Sequence, residues 1–151
     1  MLITDIIAPE NVAVGLAVPN KPALMELLAG QAARSLEVPA TAILAALHKR
    51  EALGSTGIGQ SIAVPHASLP GLKRAFGYLM VLSQPVDFAA VDDLPVDIVV
   101  LLLTPDDRAE HLKALSLIAR ALRGADVQDK LRRATTAEAA YGALHPVDPA
   151  R

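Results

Sequence analysis

The sequence predicts an α/β fold, with helices layered against buried strands. Two observations lead there. Residues 96–103 read V-D-I-V-V-L-L-L, a short apolar run rich in β-branched residues, as a strand buried on both faces does. Segments before and after it repeat apolar residues at helical spacing: Leu24, Leu27, Leu28 and Ala32 on one side, Leu112, Leu115, Ile118, Ala119 and Leu122 on the other. The chain has 151 residues, enough for one domain. A domain of that length buries roughly 70% of its unfolded surface and needs no covalent staples.

In chain order, residues 3–7 are a short apolar opening that stops at Pro9, and residues 12–14 suggest a first short strand. Asn20 is placed to cap a helix beginning near Pro22, a position proline tolerates. Pro39 opens the next helix, with Ile43, Leu44 and Leu47 on one face and Gly54 as its stop. A turn is expected at residues 67–71, and a strand over 75–82. Residues 85–95 connect onward, with room for a brief strand at 86–88. Thr104 to Asp107 closes the apolar strand and caps a helix that runs from Ala109 to Gly124. Short helices over 126–133 and 136–144 close the domain at residue 145, and residues 146–151, with Pro146 and Pro149, read as a frayed tail.

Composition narrows the function. Aromatic residues are only 3% of the chain, so the core is aliphatic. The net charge is -2, from 14 basic and 16 acidic residues, which gives no basic face for nucleic acid. There is no cysteine, so disulfides and thiolate metal sites are excluded. No signal-peptide pattern opens the chain, and no apolar stretch approaches the roughly 18 residues of a membrane span. The expected setting is cytoplasmic. The abundance of Leu and Ala leaves aliphatic surface for a homodimer.

The chemistry centres on residues 54–66, G-S-T-G-I-G-Q-S-I-A-V-P-H. Glycines here let backbone N–H groups turn toward a bound anion. Pro65 fixes the chain immediately before His66, so the imidazole leaves the strand at a set angle. No Gly-Lys-Ser/Thr follows, so this is no Walker A loop, and the third glycine of a dinucleotide fingerprint is missing. On the residues alone two readings stay open: an anion-binding loop with a presented imidazole, or a glycine-rich turn beside a surface histidine.

Two blocks carry a family resemblance. The run R-E-A-L-G-S-T-G-I-G at 50–59, continued by I-A-V-P-H at 62–66, resembles the active-site signature of enzyme IIA of the fructose/mannitol class. That class belongs to the bacterial phosphoenolpyruvate-dependent phosphotransferase system. The nearest match is its nitrogen-related regulatory branch. A second block, H-L-K-A-L-S-L-I-A-R at 111–120, resembles the second signature of the family. The resemblance runs from about Ile3 to about Leu144. It implies a single domain with a mixed, roughly five-stranded sheet flanked by helices on both faces.

It also implies a phosphocarrier. His66 would accept a phosphoryl group on Nε2 from a small histidine phosphocarrier protein. A neutral imidazole suits this chemistry, since its ordinary pKa of about 6.5 leaves a lone pair near neutral pH. His111, on the first turn of a helix, would hydrogen-bond the phosphoryl oxygens or hold His66. Arg50 would clamp phosphate oxygens, or else serve as a cation at a helix C-terminus or a partner of Glu51. The Ser55 and Thr56 hydroxyls are candidates for phosphate bonds and equally for turn capping. No metal and no cofactor is expected. Partner proteins would include potassium transport or sensor systems.

The remaining polar residues read as structure. His48 is expected on a solvated helix face, His145 in the tail, and Asp92 with Asp93 in a turn. Asp97 is expected in structural hydrogen bonds before any site role.

Two departures qualify the resemblance. Ser61 stands where the family usually has glycine, so either the position is β-like or the loop shifts. Ser68 stands where a basic residue commonly follows the active histidine, which puts the electropositive docking rim in question. The alternatives are a sugar-specific enzyme IIA that passes phosphate to a IIB domain, and a non-catalytic binding module of the same fold.

Overall fold

The computed structural model describes residues 1–145, so the tail expected at 146–151 lies outside the described residues. The elements in order are α1 (Ile3–Ile6), β1 (Ile7–Leu16), α2 (Lys21–Leu36), α3 (Ala40–Glu51), β2 (Gly57–Gly59), β3 (Ile62–Ala63), β4 (His66–Ser68), β5 (Phe76–Val86), β6 (Val96–Thr104), α4 (Arg108–Arg123), α5 (Ala125–Arg133) and α6 (Ala137–Ala143). One sheet holds six strands in the order β1-β5-β6-β3-β2, with β4 also on β6. β3 and β4 share one lane: Ile62 and Ala63 pair with Ile98 and Val99, and His66 to Ser68 pair with Leu102 to Thr104. The sheet is therefore mixed and about five strands wide, as the resemblance implied.

Strand β6 is buried on both faces, and this is why its sequence is apolar without alternation. Val99, Leu101 and Leu103 pack with Leu24, Leu28, Ile43 and Leu47 of α2 and α3. Ile98, Val100 and Leu102 pack with Ile118, Leu122, Leu131 and Ala140 of α4, α5 and α6. Helices thus cover both faces of the sheet. Asn20 caps α2 through its side chain to the Ala23 N–H, and Asp107 and Thr136 do the same for α4 and α6.

Several boundaries differ from the sequence reading. β1 runs through Pro9 because it is an edge strand, and its ladder to β5 is irregular between Ile7 and Val12, where a missing N–H is tolerated. The opening residues form a one-turn helix before it. Of the brief strand expected at 86–88 only Val86 lies in a strand, as the last residue of the long β5. The buried stripe of α4 is Ala114, Ile118 and Leu122, while Leu112 is 52% exposed. Small Ala114 marks the inward face, which a count of large residues overlooks.

Candidate phosphoryl-accepting site

Three elements converge on one shallow cleft. The C-terminal end of α3 brings Arg50, the start of β4 brings His66, and the first turn of α4 brings His111. Lys49, Leu53 and Ser68 line the same cleft, of about 300 Å³. The register explains the convergence. His66 pairs with Leu102, two residues before β6 ends at Thr104, so the histidine lies near the end of the sheet where α4 begins.

The geometry at His66 selects a nitrogen. Its Nδ1 lies 2.7 Å from the Val64 carbonyl oxygen. A carbonyl only accepts, so Nδ1 carries the proton and Nε2 keeps its lone pair. Arg50 Nε donates to that Nε2 at 3.2 Å, and Arg50 Nη1 donates to the Gly54 carbonyl at 2.9 Å. The carbonyl of Val64 is available because Pro65 interrupts the lane between β3 and β4. The His66 and His111 ring centres are 5.3 Å apart, tilted by 49°. His111 in turn has its Nδ1 2.6 Å from Thr104 Oγ1.

Both imidazoles are held neutral. Burial pushes the His66 pKa below its ordinary value, and the Arg50 guanidinium and the neighbouring His111 ring push the same way, against the Val64 hydrogen bond and the Glu51 carboxylate. Burial and then Arg50 lower that of His111. His66 is only 8% exposed, so a neutral ring beside a guanidinium is the stable state.

The glycine loop does not form an anion cradle. The Thr56 N–H and hydroxyl both donate to the Glu51 carboxylate, and the Gly57 N–H donates to Ser55 Oγ. Ser55 Oγ itself donates to the Phe88 carbonyl at 3.0 Å. These donors are taken up inside the turn, the arrangement of the turn-capping reading, because Glu51 reaches back from the helix end. Glu51 is paired with Lys21 at 2.9 Å. So Arg50 is free of Glu51 and turns to His66.

Residues 57–59 form a strand, hairpinned to β3 through Gln60 and Ser61. Both turn residues are left-handed, with φ of 59° and 64°. Ser61 is thus not β-like. Its carbonyl accepts from the N–H groups of Asp97 and Ile98, and Arg132 Nη2 donates to the Gln60 carbonyl, so the surroundings hold the turn in place.

The other polar residues stand apart. His48 is exposed on α3, and His145 Nδ1 sits against the Tyr141 carbonyl. Asp92 accepts from the Gln60 and Leu94 N–H groups, and Asp97 is paired with Arg132. Sequence reasoning gave no site role to Thr104, Glu51 or the Val64 carbonyl. Of these only Glu51 left a signal, as a carboxylate set against the glycine run. Among the described residues no cluster of His, Cys or carboxylate groups fits a metal.

A fold of this topology with an imidazole pair and an arginine at one sheet end has a family. Residues 5–145 match the model of the phosphoenolpyruvate-dependent sugar phosphotransferase system EIIA 2 family, and the chain belongs to it. Within that family it is 43% identical over 145 residues to a nitrogen regulatory protein of Bradyrhizobium diazoefficiens, covering 95% of each chain. The crystal structure of nitrogen regulatory protein IIA-Ntr from Neisseria meningitidis superposes with a TM-score of 0.88 at 30% identity, over 95% of this chain and 99% of that one. The mannitol enzyme IIA of Escherichia coli, solved in complex with phosphorylated enzyme IIB, shares the fold at a TM-score of 0.75 and 21% identity, over 89% and 94% of the two chains. The chain is therefore a nitrogen-related member of the EIIA family. Among the described residues no helix is long and apolar enough to cross a membrane.

Proposed function

We propose that the protein is a regulatory phosphocarrier that accepts a phosphoryl group on Nε2 of His66 from a small histidine phosphocarrier protein. The observation that carries this reading is the Val64 carbonyl at 2.7 Å from Nδ1, which leaves Nε2 as the nucleophilic nitrogen in the cleft with Arg50 and His111. In the step, the Nε2 lone pair attacks phosphorus while the donor's P–N bond breaks and its electron pair leaves with the donor imidazole. The transition state is loose, with charge on the equatorial oxygens, so positioned donors do most of the catalysis. Arg50 shifts its Nε–H from Nε2 to a phosphoryl oxygen, and His111 donates a second bond. As the ring gains positive charge, the Val64 carbonyl takes the Nδ1–H more strongly. Ser55 and Thr56 serve the phosphate indirectly, by holding the turn that supports Gly54 and, through it, Arg50.

The added phosphoryl group brings about -1.5 to -2 charges. Its presence changes the surface that regulated partners meet, potassium transport or sensor proteins among them. A cytoplasmic setting belongs to the same reading. Lys49 supplies a positive charge at the cleft beside Ser68 and so offsets the missing basic residue of the docking rim.

The fold shared with a mannitol enzyme IIA that was solved with its phosphorylated IIB favours a second reading, transfer onward to a sugar-specific IIB domain. The test is intact mass after incubation with phosphoenolpyruvate, enzyme I and the histidine phosphocarrier. An acid-labile gain of one phosphoryl mass, absent in His66→Ala, is expected. No gain, with the donors active on a control protein, overturns the proposal in favour of a non-catalytic binding module. Subsequent loss of the group to a sugar-specific IIB would move the assignment to transport.

A further inference from the structure

The site contains one buried hydroxyl with no role so far. Thr104, the last residue of β6, is 0% exposed, and its Oγ1 lies 2.6 Å from Nδ1 of His111. One proton sits between them, either on the oxygen or on the nitrogen. At 2.6 Å the contact is a close hydrogen bond in either case.

The surroundings separate the two cases. Among the described residues the other partner of Thr104 Oγ1 is Ser68 Oγ, at 3.4 Å, a weak contact. Ser68 is exposed, so its hydroxyl does not depend on Thr104 for a partner. The Thr104 proton therefore has one good destination, which is His111. The backbone at this point is fixed as well. Thr104 pairs with Ser68 in the β4–β6 ladder, and its carbonyl accepts from the Leu69 N–H at 2.8 Å.

We propose that Thr104 is a positioning residue that fixes His111 as the Nε2–H tautomer, so that the ring offers a donor and not a lone pair to the phosphoryl oxygens on His66. The inference rests on the phosphocarrier reading of His66. A neutral imidazole has one N–H to give. If Nδ1 held it, Nε2 would face the phosphoryl oxygens with a lone pair, and the contact would repel. Burial and Arg50 keep His111 neutral, so its tautomer decides its usefulness. No bond to His111 forms or breaks in the transfer. It contributes a hydrogen bond to charge that develops elsewhere.

Long-range proton–nitrogen spectra of protein labelled with 15N-histidine, taken at mildly alkaline pH, read the tautomer directly. The His111 Nδ1 is expected to show the shift of an unprotonated nitrogen and Nε2 that of a protonated one. Thr104→Val, close to isosteric, is expected to mix the tautomers and slow phosphoryl transfer to His66 roughly tenfold, the loss of one ordinary hydrogen bond. Thr104→Ser keeps the hydroxyl and is expected to restore both the spectrum and the rate. A protonated Nδ1 in the wild type overturns the proposal, as does a Thr104→Val spectrum identical to the wild type. A rate loss in Thr104→Ser equal to that in Thr104→Val, with the tautomer intact, also overturns it, because packing would then be the cause. Failure of the wild type to take up a phosphoryl group strikes the phosphocarrier reading instead, and the spectra tell the two failures apart.

Discussion

Arg50→Met is the sharpest test of how the cleft works. Methionine keeps the length and apolar stem of the side chain but removes a guanidinium that now donates to His66 Nε2 at 3.2 Å and to the Gly54 carbonyl at 2.9 Å. A hydrogen bond to a charged group contributes about 1.5–3 kcal/mol, which corresponds to roughly 10–150-fold in rate. The guanidinium also bonds Nε2 before transfer, so part of that energy is already present in the ground state. Only the surplus counts, which places the expected loss near the lower end, about 10–30-fold. The assay is single-turnover transfer from the phosphorylated carrier, followed by intact mass against time. Arg50→Lys keeps the charge without the forked donors and is expected to fall between the two. A second readout needs no donor protein. Arg50 lowers the pKa of both His66 and His111, so both are expected to rise toward their ordinary values in Arg50→Met by NMR titration. Transfer within twofold of wild type, or a His66 pKa that falls further, would refute the reasoning.

Three further outcomes are expected. Ser61→Gly relieves a left-handed serine at φ 64°, a strain of about 1–2 kcal/mol, against about 0.5–1 kcal/mol of extra chain entropy, so a net gain near 0.5–1 kcal/mol and a Tm higher by about 2 °C is expected in calorimetry. Gly57→Ala would set a Cβ 2.7 Å from Ala90 Cβ and 2.9 Å from Ala90 Cα, and overpacking against backbone is expected to destabilise by about 1–3 kcal/mol in urea unfolding. The third concerns pH. Folded His66 and His111 bind protons less readily than the unfolded chain, so their contribution to stability is complete above about pH 6.5 and is lost as pH falls through that value toward their lowered pKa values. Denaturation of wild type and His66→Ala from about pH 7.5 down to 5 should show a shallower decline in the variant, and equal slopes would contradict the burial argument.

Much of the layered fold was legible because its signals are local. β6 announced itself by an apolar run that only two-sided burial permits, and Asn20 marked a helix start by a side chain that reaches one turn along. β1 was cut short in the sequence reading because Pro9 forbids an inner strand, and nothing local says that the strand lies at an edge. His66 was visible through Pro65 before it. The fate of Arg50 was not, since it depends on Glu51 being claimed by Lys21, thirty residues earlier in the chain. Ser55 and Thr56 look alike to a phosphate and to a helix-end carboxylate, and only tertiary placement decides between them. Thr104 touches His111 because a strand end and a helix start meet there, and no spacing rule records that.

The gap between β3 and β4 has a consequence for evolution. Under the phosphocarrier reading, the atom that selects the reacting nitrogen of His66 is a main-chain oxygen, exposed to the imidazole by a proline that cannot extend the ladder. Side-chain replacement at position 64 leaves that oxygen in place, so the residue there is free to drift within the limits of an apolar core. On that reading the regiochemistry would be written in the path of the chain and not in the identity of a neighbouring side chain. Relatives with quite different packing around this point are expected to use the same nitrogen, so long as the strand breaks at the same place.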